Sequence, residues 1–100
     1  MNEVIKSAIE NKKVIEFYYK DDLRIVEPFV LGISTTGKES LRGFQVGGNS
    51  TDSSSYSWKL FTVDKISNLI VKDENFIGDR EYYNPNDSAF NQIFARVYKV

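Results

Sequence analysis

Apolar and polar residues alternate in several short segments between Val14 and Val71, and this two-residue period is the feature that most constrains the fold. The segments are rich in β-branched and aromatic residues and are separated by polar turns, which predicts strands. We expect four of them: Val14–Tyr19, Arg24–Ser34, Glu39–Val46 and Trp58–Val71. Pro28 cannot donate a ladder hydrogen bond, so it predicts an edge, bulge or bend, and the last segment is expected to bend near Asp64.

Helical spacing is confined to the two ends of the chain. Val4, Ile5, Ala8 and Ile9 share one helical face, which predicts a helix over residues 3–11. Near the other end, Asp87–Tyr98 is a candidate helix, with an apolar face formed by Phe90, Ile93, Phe94 and Val97. We therefore predict one α+β domain over residues 1–100, with a small antiparallel sheet or barrel at 14–72 and a C-terminal packing segment at 73–100.

The composition limits the kinds of functional site that the chain can form. The 100 residues carry 13 basic and 14 acidic side chains, a net charge of −1, so any anion site must be local. Without cysteine or histidine the chain cannot form disulfides, thiolate metal sites or an imidazole base. No apolar run approaches the roughly 18 residues of a membrane span, and the first residues lack a signal-peptide pattern, so we expect a cytoplasmic protein that does not enter membranes.

One mixture of cationic and aromatic residues suits a nucleotide. Arg24, Arg42 and Lys59 come from three successive predicted strands and lie near Tyr18, Phe44 and Trp58 in the sequence. Guanidinium groups bind phosphate oxygens, and aromatic rings stack on bases. Gln45 is a candidate for reading a base edge. The alternative is that these residues are solvated strand positions with half-buried aromatic rings.

Several stretches together resemble the WYL family, bacterial ligand-sensing domains with an SH3-like, Sm-like barrel behind an N-terminal helix. The resemblance spans about Val4 to Leu69 and is carried by the helix with Lys12-Lys13, by Ile15-x-Phe17-x-Tyr19, by Arg24-x-Val26-x-Pro28 and by Phe61-Thr62-Val63-Asp64-Lys65-Ile66. It implies an SH3-like or Sm-like barrel.

The resemblance also implies a ligand class. WYL domains usually follow a winged-helix DNA-binding domain. They are thought to bind a nucleotide or single-stranded nucleic-acid effector on a basic, aromatic surface. The resemblance therefore adds the basic residue Lys65 to the candidate ligand contacts. Two departures stand out: Glu39, Ser40 and Leu41 replace the family's Trp-Tyr-Leu triplet, and Thr62 and Lys65 stand where it has two arginines. The expected protein is a sensor or an accessory protein that acts through another chain.

Other function classes have weaker signals. No Gly-x-Ser-x-Gly or Ser-x-x-Lys motif appears in a fitting context, so we predict no catalysis and no cofactor. The carboxylates Asp64, Asp73, Glu74 and Asp79 match no metal-loop spacing, and we predict no metal site. The alternative function is a protein-interaction module that adds a partner strand to an exposed sheet edge, with a partner protein or a second copy of the chain bound there.

Overall fold

The computed structural model describes residues 1–49 and 56–98. These residues form one α-helix, six strands and one 3-10 turn: α1 (Asn2–Glu10), β1 (Lys13–Tyr19), β2 (Asp22–Ser34), β3 (Glu39–Gly48), β4 (Ser57–Thr62), the turn (Val63–Lys65), β5 (Ser67–Asn75) and β6 (Phe90–Arg96). The predicted N-terminal helix and antiparallel sheet are confirmed, as is the bend near Asp64, which the 3-10 turn produces. The Gly-, Ser- and Thr-rich residues 47–57 predict a loop, but β3 extends to Gly48 and β4 begins at Ser57; residues 50–55 lie outside the described residues. No described helix is long and apolar enough to cross a membrane.

The long central strand β2 organises the sheet. The strand order is β4-β3-β2-β1-β5, and every pairing is antiparallel. β3 follows one edge of β2 along most of its length, whereas β1 pairs with the first half of the other edge and β6 with the second half. Among the described strands β4 and β5 do not pair with each other, so the sheet is not closed.

The main core lies between one face of the sheet, which we call the core face, and α1. Ile15, Phe17 and Tyr19 of β1 point toward it as their alternation predicts, and Ile5 and Ile9 of α1 cover it. Glu16 and Tyr18 point to the opposite face, which we call the outer face. Burial of these apolar side chains supplies most of the driving force for folding.

Pro28 lies at a bulge, as predicted. In the β2–β3 register Pro28 is opposite Gly43, but Val30 is opposite Arg42, so β2 uses one extra residue at this point. An extra residue reverses which side chains point to which face. Arg24 lies on the core face because it pairs with Phe17, and Gln45 lies there because it pairs with Val26. Arg42 is three residues from Gln45 along β3, so alternation places it on the outer face.

The predicted C-terminal helix over Asp87–Tyr98 is wrong, because these residues contain strand β6. Residues Val30–Ser34 of β2 extend beyond the end of β1, and their free edge needs hydrogen-bond partners. β6 supplies them over Phe90–Arg96, and Val97 N–H continues the pairing with a hydrogen bond of 2.9 Å to the carbonyl of Phe29. Long-range hydrogen bonding overrides the local helical spacing.

Candidate functional site: an aromatic pocket on the outer face

The segment Phe76–Ala89, which we call the strap, crosses the outer face between β5 and β6. It packs an aromatic cluster against the sheet: Phe29 lies 5.2 Å from Phe76 and 4.7 Å from Tyr83, measured between ring centroids. Trp58 stacks on Tyr83 at 5.9 Å with an interplanar angle of 17°. The strap thus adds aromatic rings to the hydrophobic core from the side of the outer face.

A clamp formed by Arg80 ties the strap to the sheet. Its Nε and Nη2 atoms donate to the two carboxylate oxygens of buried Glu27, at 2.9 and 3.0 Å. The guanidinium also lies 4.4 Å from the ring centroid of Phe44 and donates to the Tyr56 hydroxyl at 2.9 Å. The bond to Glu27 holds the pKa of Arg80 above its usual value despite partial burial. Such a bidentate pair fixes orientation as well as charge.

Where the strap meets β3 and β4, it leaves an open pocket of about 250 Å³. We call this the aromatic pocket; it is lined by Arg42, Trp58, Tyr82, Tyr83, Asn84 and Asp87. The sheet provides the first two of these residues and the strap provides the other four. Three aromatic rings beside a guanidinium, an amide and a carboxylate make a site that can bind a flat, polar-edged molecule.

Arg42 and Asp87 form an ion pair in this pocket. Arg42 Nε donates to Asp87 Oδ2 at 2.7 Å, and Nη2 approaches Oδ1 at 3.4 Å. Burial opposes ionisation of Asp87, but hydrogen bonds from Arg42 and from the Ala89 N–H outweigh it and lower the pKa of the carboxyl. Within the described part of the chain, Arg42 Nη1 has no hydrogen-bond partner, so it remains available to a ligand.

Trp58 and Tyr83 are fixed by hydrogen bonds as well as by packing. The indole Nε1 of Trp58 donates to the carbonyl of Glu81 at 2.9 Å. The Tyr83 hydroxyl donates to the carbonyl of Val97 at 2.6 Å, and burial raises the pKa of Tyr83 to about 12. Because both rings are held in place, the floor of the pocket is preorganised, and a ligand that binds there orders fewer protein side chains.

Tyr82 forms the exposed rim of the pocket. Its side chain is 86% accessible to solvent, and its backbone φ is +68°, in the left-handed region that bulky side chains rarely adopt. Asparagine or glycine would occupy this turn position at lower cost. A large ring held in this conformation and exposed to solvent is a feature that packing does not explain, and such outliers concentrate at functional sites.

Arg24 and Gln45, both predicted as ligand contacts, lie in the interior. Arg24 is 2% exposed; its Nη1 donates to Gln45 Oε1 at 3.2 Å and its Nη2 to the carbonyl of Tyr19 at 3.3 Å. Its guanidinium also lies within 6 Å of the Tyr19 and Phe61 rings. Both residues therefore organise the core in this structure and do not face a solvent-side ligand.

The remaining predicted residues do not converge on one site. Arg42 and Trp58 meet in the aromatic pocket, but Lys59 follows Trp58 in β4 and alternates to the opposite face of the sheet. Tyr18 and Lys65 line a separate shallow depression with Lys20, near the start of β5. The structure thus brings two of the seven predicted contacts together in the aromatic pocket.

Sequence reasoning missed the four residues that the strap contributes. The sequence predicts only a C-terminal packing segment around Tyr82, Tyr83 and Asn84, and it places Asp87 at the start of a helix. One signal was present: two adjacent tyrosines in a turn region are unusual, because turns favour small polar residues. Arg42 and Asp87 are 45 positions apart, so their pairing leaves no local pattern in the sequence.

Comparisons with known proteins identify no family. No family model, curated protein or solved structure matches this chain. Within residues 1–49 and 56–98, no group of three or more carboxylate, histidine or cysteine side chains is placed to hold a metal ion. The functional argument therefore rests on the geometry of the aromatic pocket.

Proposed function

We propose that this protein is a ligand-binding domain whose aromatic pocket recognises a nucleotide or the base of a single-stranded nucleic acid. The observation that carries the proposal is the convergence on one pocket of the exposed Tyr82 ring, the Trp58–Tyr83 stack and the guanidinium of Arg42, whose Nη1 has no hydrogen-bond partner among the described residues. Aromatic rings supply sequence-tolerant stacking on a base, about 1 to 3 kcal/mol each.

Each polar group has a role in this binding mode. Arg42 Nη1 donates to a phosphate or to a base carbonyl, and Asp87 accepts from a base amino group through lone pairs that its bonds to Arg42 leave open. The Asn84 Oδ1 atom already accepts from the Asn86 N–H, which leaves its amide N–H groups for the ligand. Because the charges of Arg42 and Asp87 cancel, base recognition dominates and salt dependence is shallow, about that of one phosphate contact.

We also propose that the fold is a WYL-like, SH3-like or Sm-like barrel. Three features support this: an N-terminal helix precedes the sheet, β5 returns to pair with β1, and a single 3-10 turn joins β4 to β5. β4 and β5 lie at opposite ends of the strand order but are joined by only four residues, which favours a sheet that curls to bring these two edges near each other. On this proposal the protein is a non-catalytic regulator that passes ligand binding to another chain.

Titration with nucleotides and short single-stranded oligonucleotides tests the ligand proposal, because the only tryptophan, Trp58, lies in the pocket and reports binding by fluorescence. We expect saturable quenching that Tyr82→Ala weakens about tenfold or more. Tyr98→Ala is the matched control, since Tyr98 is also highly exposed but is not a lining residue. Equal affinities in the two variants, or no binding by calorimetry, would contradict the proposal.

A second candidate function is strand addition at the sheet edge, and the free edge of β5 favours it. Among the described strands only β1 pairs with β5, and β5 exposes Ile70 and Val71. An exposed apolar segment on an edge strand can pair with a strand of another chain. This function does not use the aromatic pocket, so Arg42→Ala should leave it unchanged.

A further inference from the structure

Two arginines lie beneath the strap, one on each side of β2. Val30 of β2 is opposite Arg42 in the pairing with β3 and opposite Arg96 in the pairing with β6. Facing residues of antiparallel strands share a face, so both arginines lie on the outer face, with their backbones two strand spacings apart, roughly 10 Å. The next residue, Val97, is buried, and its N–H bonds the Phe29 carbonyl, so the backbone at Arg96 is held firmly.

Arg96 holds the part of the strap that lies between two polar residues of the aromatic pocket. Its Nη1 atom donates to the Pro85 carbonyl at 3.0 Å and to Asn86 Oδ1 at 2.9 Å. Their neighbours on either side, Asn84 and Asp87, line the pocket. Arg96 is not one of the described residues that line it. Any effect of Arg96 on a bound ligand therefore acts through the strap.

Two short turns connect this part of the strap to the pocket. Asn84 Oδ1 accepts from the Asn86 N–H at 3.0 Å, and Asp87 Oδ1 accepts from the Ala89 N–H at 2.9 Å. Such turns fix a side chain relative to its own backbone. Asp87 is also held by Arg42, but within residues 1–49 and 56–98 the bond to Asn86 is the only one that fixes the Asn84 side chain. Asn84 therefore depends most on the segment that Arg96 holds.

We propose that Arg96 is a positioning residue of the aromatic pocket: by fixing Asn84 and Asp87, it sets the selectivity of the pocket among bases without touching the ligand. The inference rests on the proposed ligand-binding function and deepens it. Stacking on the rings of Trp58 and Tyr82 tolerates any base, whereas hydrogen bonds to the edge of a base distinguish one base from another. A change at Arg96 should therefore alter selectivity, and a change at Tyr82 should alter overall affinity.

Calorimetric titration with adenosine, guanosine, cytidine and uridine monophosphates measures both quantities. We expect wild type to bind the four with unequal affinities. Arg96→Met keeps most of the side-chain volume but has no donor, so the ratio between the tightest and the weakest affinity should fall about fivefold or more. Arg96→Lys should keep most of this ratio, because a single nitrogen makes both bonds and an ammonium group has three N–H donors. Tyr82→Ala should weaken all four affinities by similar factors.

Amide exchange measured by NMR without ligand tests the positioning itself. Arg96→Met should speed exchange of the Asn86 and Ala89 amides, whereas the amide of Phe17, in β1, should match wild type and shows that the variant folds. Unchanged exchange at Asn86 and Ala89, an unchanged affinity ratio in Arg96→Met, or equal affinities of wild type for all four nucleotides would overturn the role of Arg96. Failure of wild type to bind any nucleotide would instead refute the proposed function, so the two failures are distinguishable.

Discussion

Arg24 and Arg42 have the same side chain but lie in different environments: Arg24 lies in the interior on the core face, and Arg42 lies in the aromatic pocket on the outer face. Arg24, on β2, is enclosed by Gln45, the carbonyl of Tyr19 and two aromatic rings. Arg42, on the adjacent strand β3, lies on the outer face and pairs with Asp87 of the strap. The first guanidinium has its partners inside the core, and the second meets its partner at a pocket open to solvent.

The difference shows how to separate a structural arginine from one available to a ligand. Among the described residues, buried Arg24 Nε and Asp22 Oδ2 have no hydrogen-bond partner, so the interior network carries a desolvation cost that packing offsets. Arg42 is held by Asp87, and its Nη1 has no partner within the same described part of the chain. Variants in the two regions should therefore differ: those near Arg24 should cause the larger loss of stability, and those near Arg42 should change binding.

The largest expected effect is that of Arg24→Ala. It removes a buried side chain, leaves Gln45 Oε1 and the Tyr19 carbonyl unpaired, and opens a cavity, so we expect a loss of about 3 kcal/mol or more in the free energy of unfolding. Urea denaturation measures it. Arg24→Met fills most of the volume and should lose less. If Arg24→Ala lost less free energy of unfolding than Arg42→Ala, the distinction between the two regions would be contradicted.

Tyr83→Phe comes next, with an expected loss of about 1 to 1.5 kcal/mol, because the Val97 carbonyl loses its buried donor. Because the fold raises the pKa of Tyr83, the stabilising contribution of this residue should also depend on pH. The fold favours the neutral phenol, so its contribution is full below the ordinary pKa of 10.0 and declines as pH rises toward about 12. Comparing the alkaline unfolding of wild type and Tyr83→Phe should show a shallower decline in the variant.

Asp87→Asn should cost about 1 kcal/mol at neutral pH, since it weakens one partly buried ion pair. Because the fold lowers the pKa of Asp87, its stabilising effect is present above the ordinary value of 3.8 and is lost as pH falls through the lower folded pKa. The gap between wild type and variant should therefore close on acidification. A gap that stays constant with pH would show that the charge of Asp87 does not stabilise the fold.

Tyr82→Gly has the smallest expected effect on stability and the opposite sign. Glycine adopts a φ of +68° without strain, and this gain exceeds the entropy that glycine adds to the unfolded chain by about 0.5 kcal/mol. Nucleotide binding should fall even as the melting temperature rises slightly. Loss of both stability and binding would indicate that Tyr82 supports the strap and does not serve as a binding surface.

Local patterns predicted much of the fold and less of the site. The alternation in β1, the helical face of α1 and the bulge at Pro28 are short-range features, and the structure has all three. Alternation along β3 places Arg42 and Gln45 on opposite faces, but only the strand register shows that Arg24 shares the core face with Gln45. Strand β6 and the pocket residues of the strap were not predicted, because their positions are set by the open edge of β2 and by Arg42, both distant in sequence.

The sharing of one β2 edge by two strands has a consequence for the rate of folding. β1 pairs with the first half of that edge after a tight turn, a closure that needs little ordering of the chain. The second half of that edge pairs with β6, which lies about 60 residues further along the chain. Closing this long loop costs much more conformational entropy than closing the β1–β2 turn. We expect amide protection to develop first in the β1–β2 hairpin and later in β6 (Phe90–Arg96), which pulse-labelled hydrogen exchange during refolding would resolve.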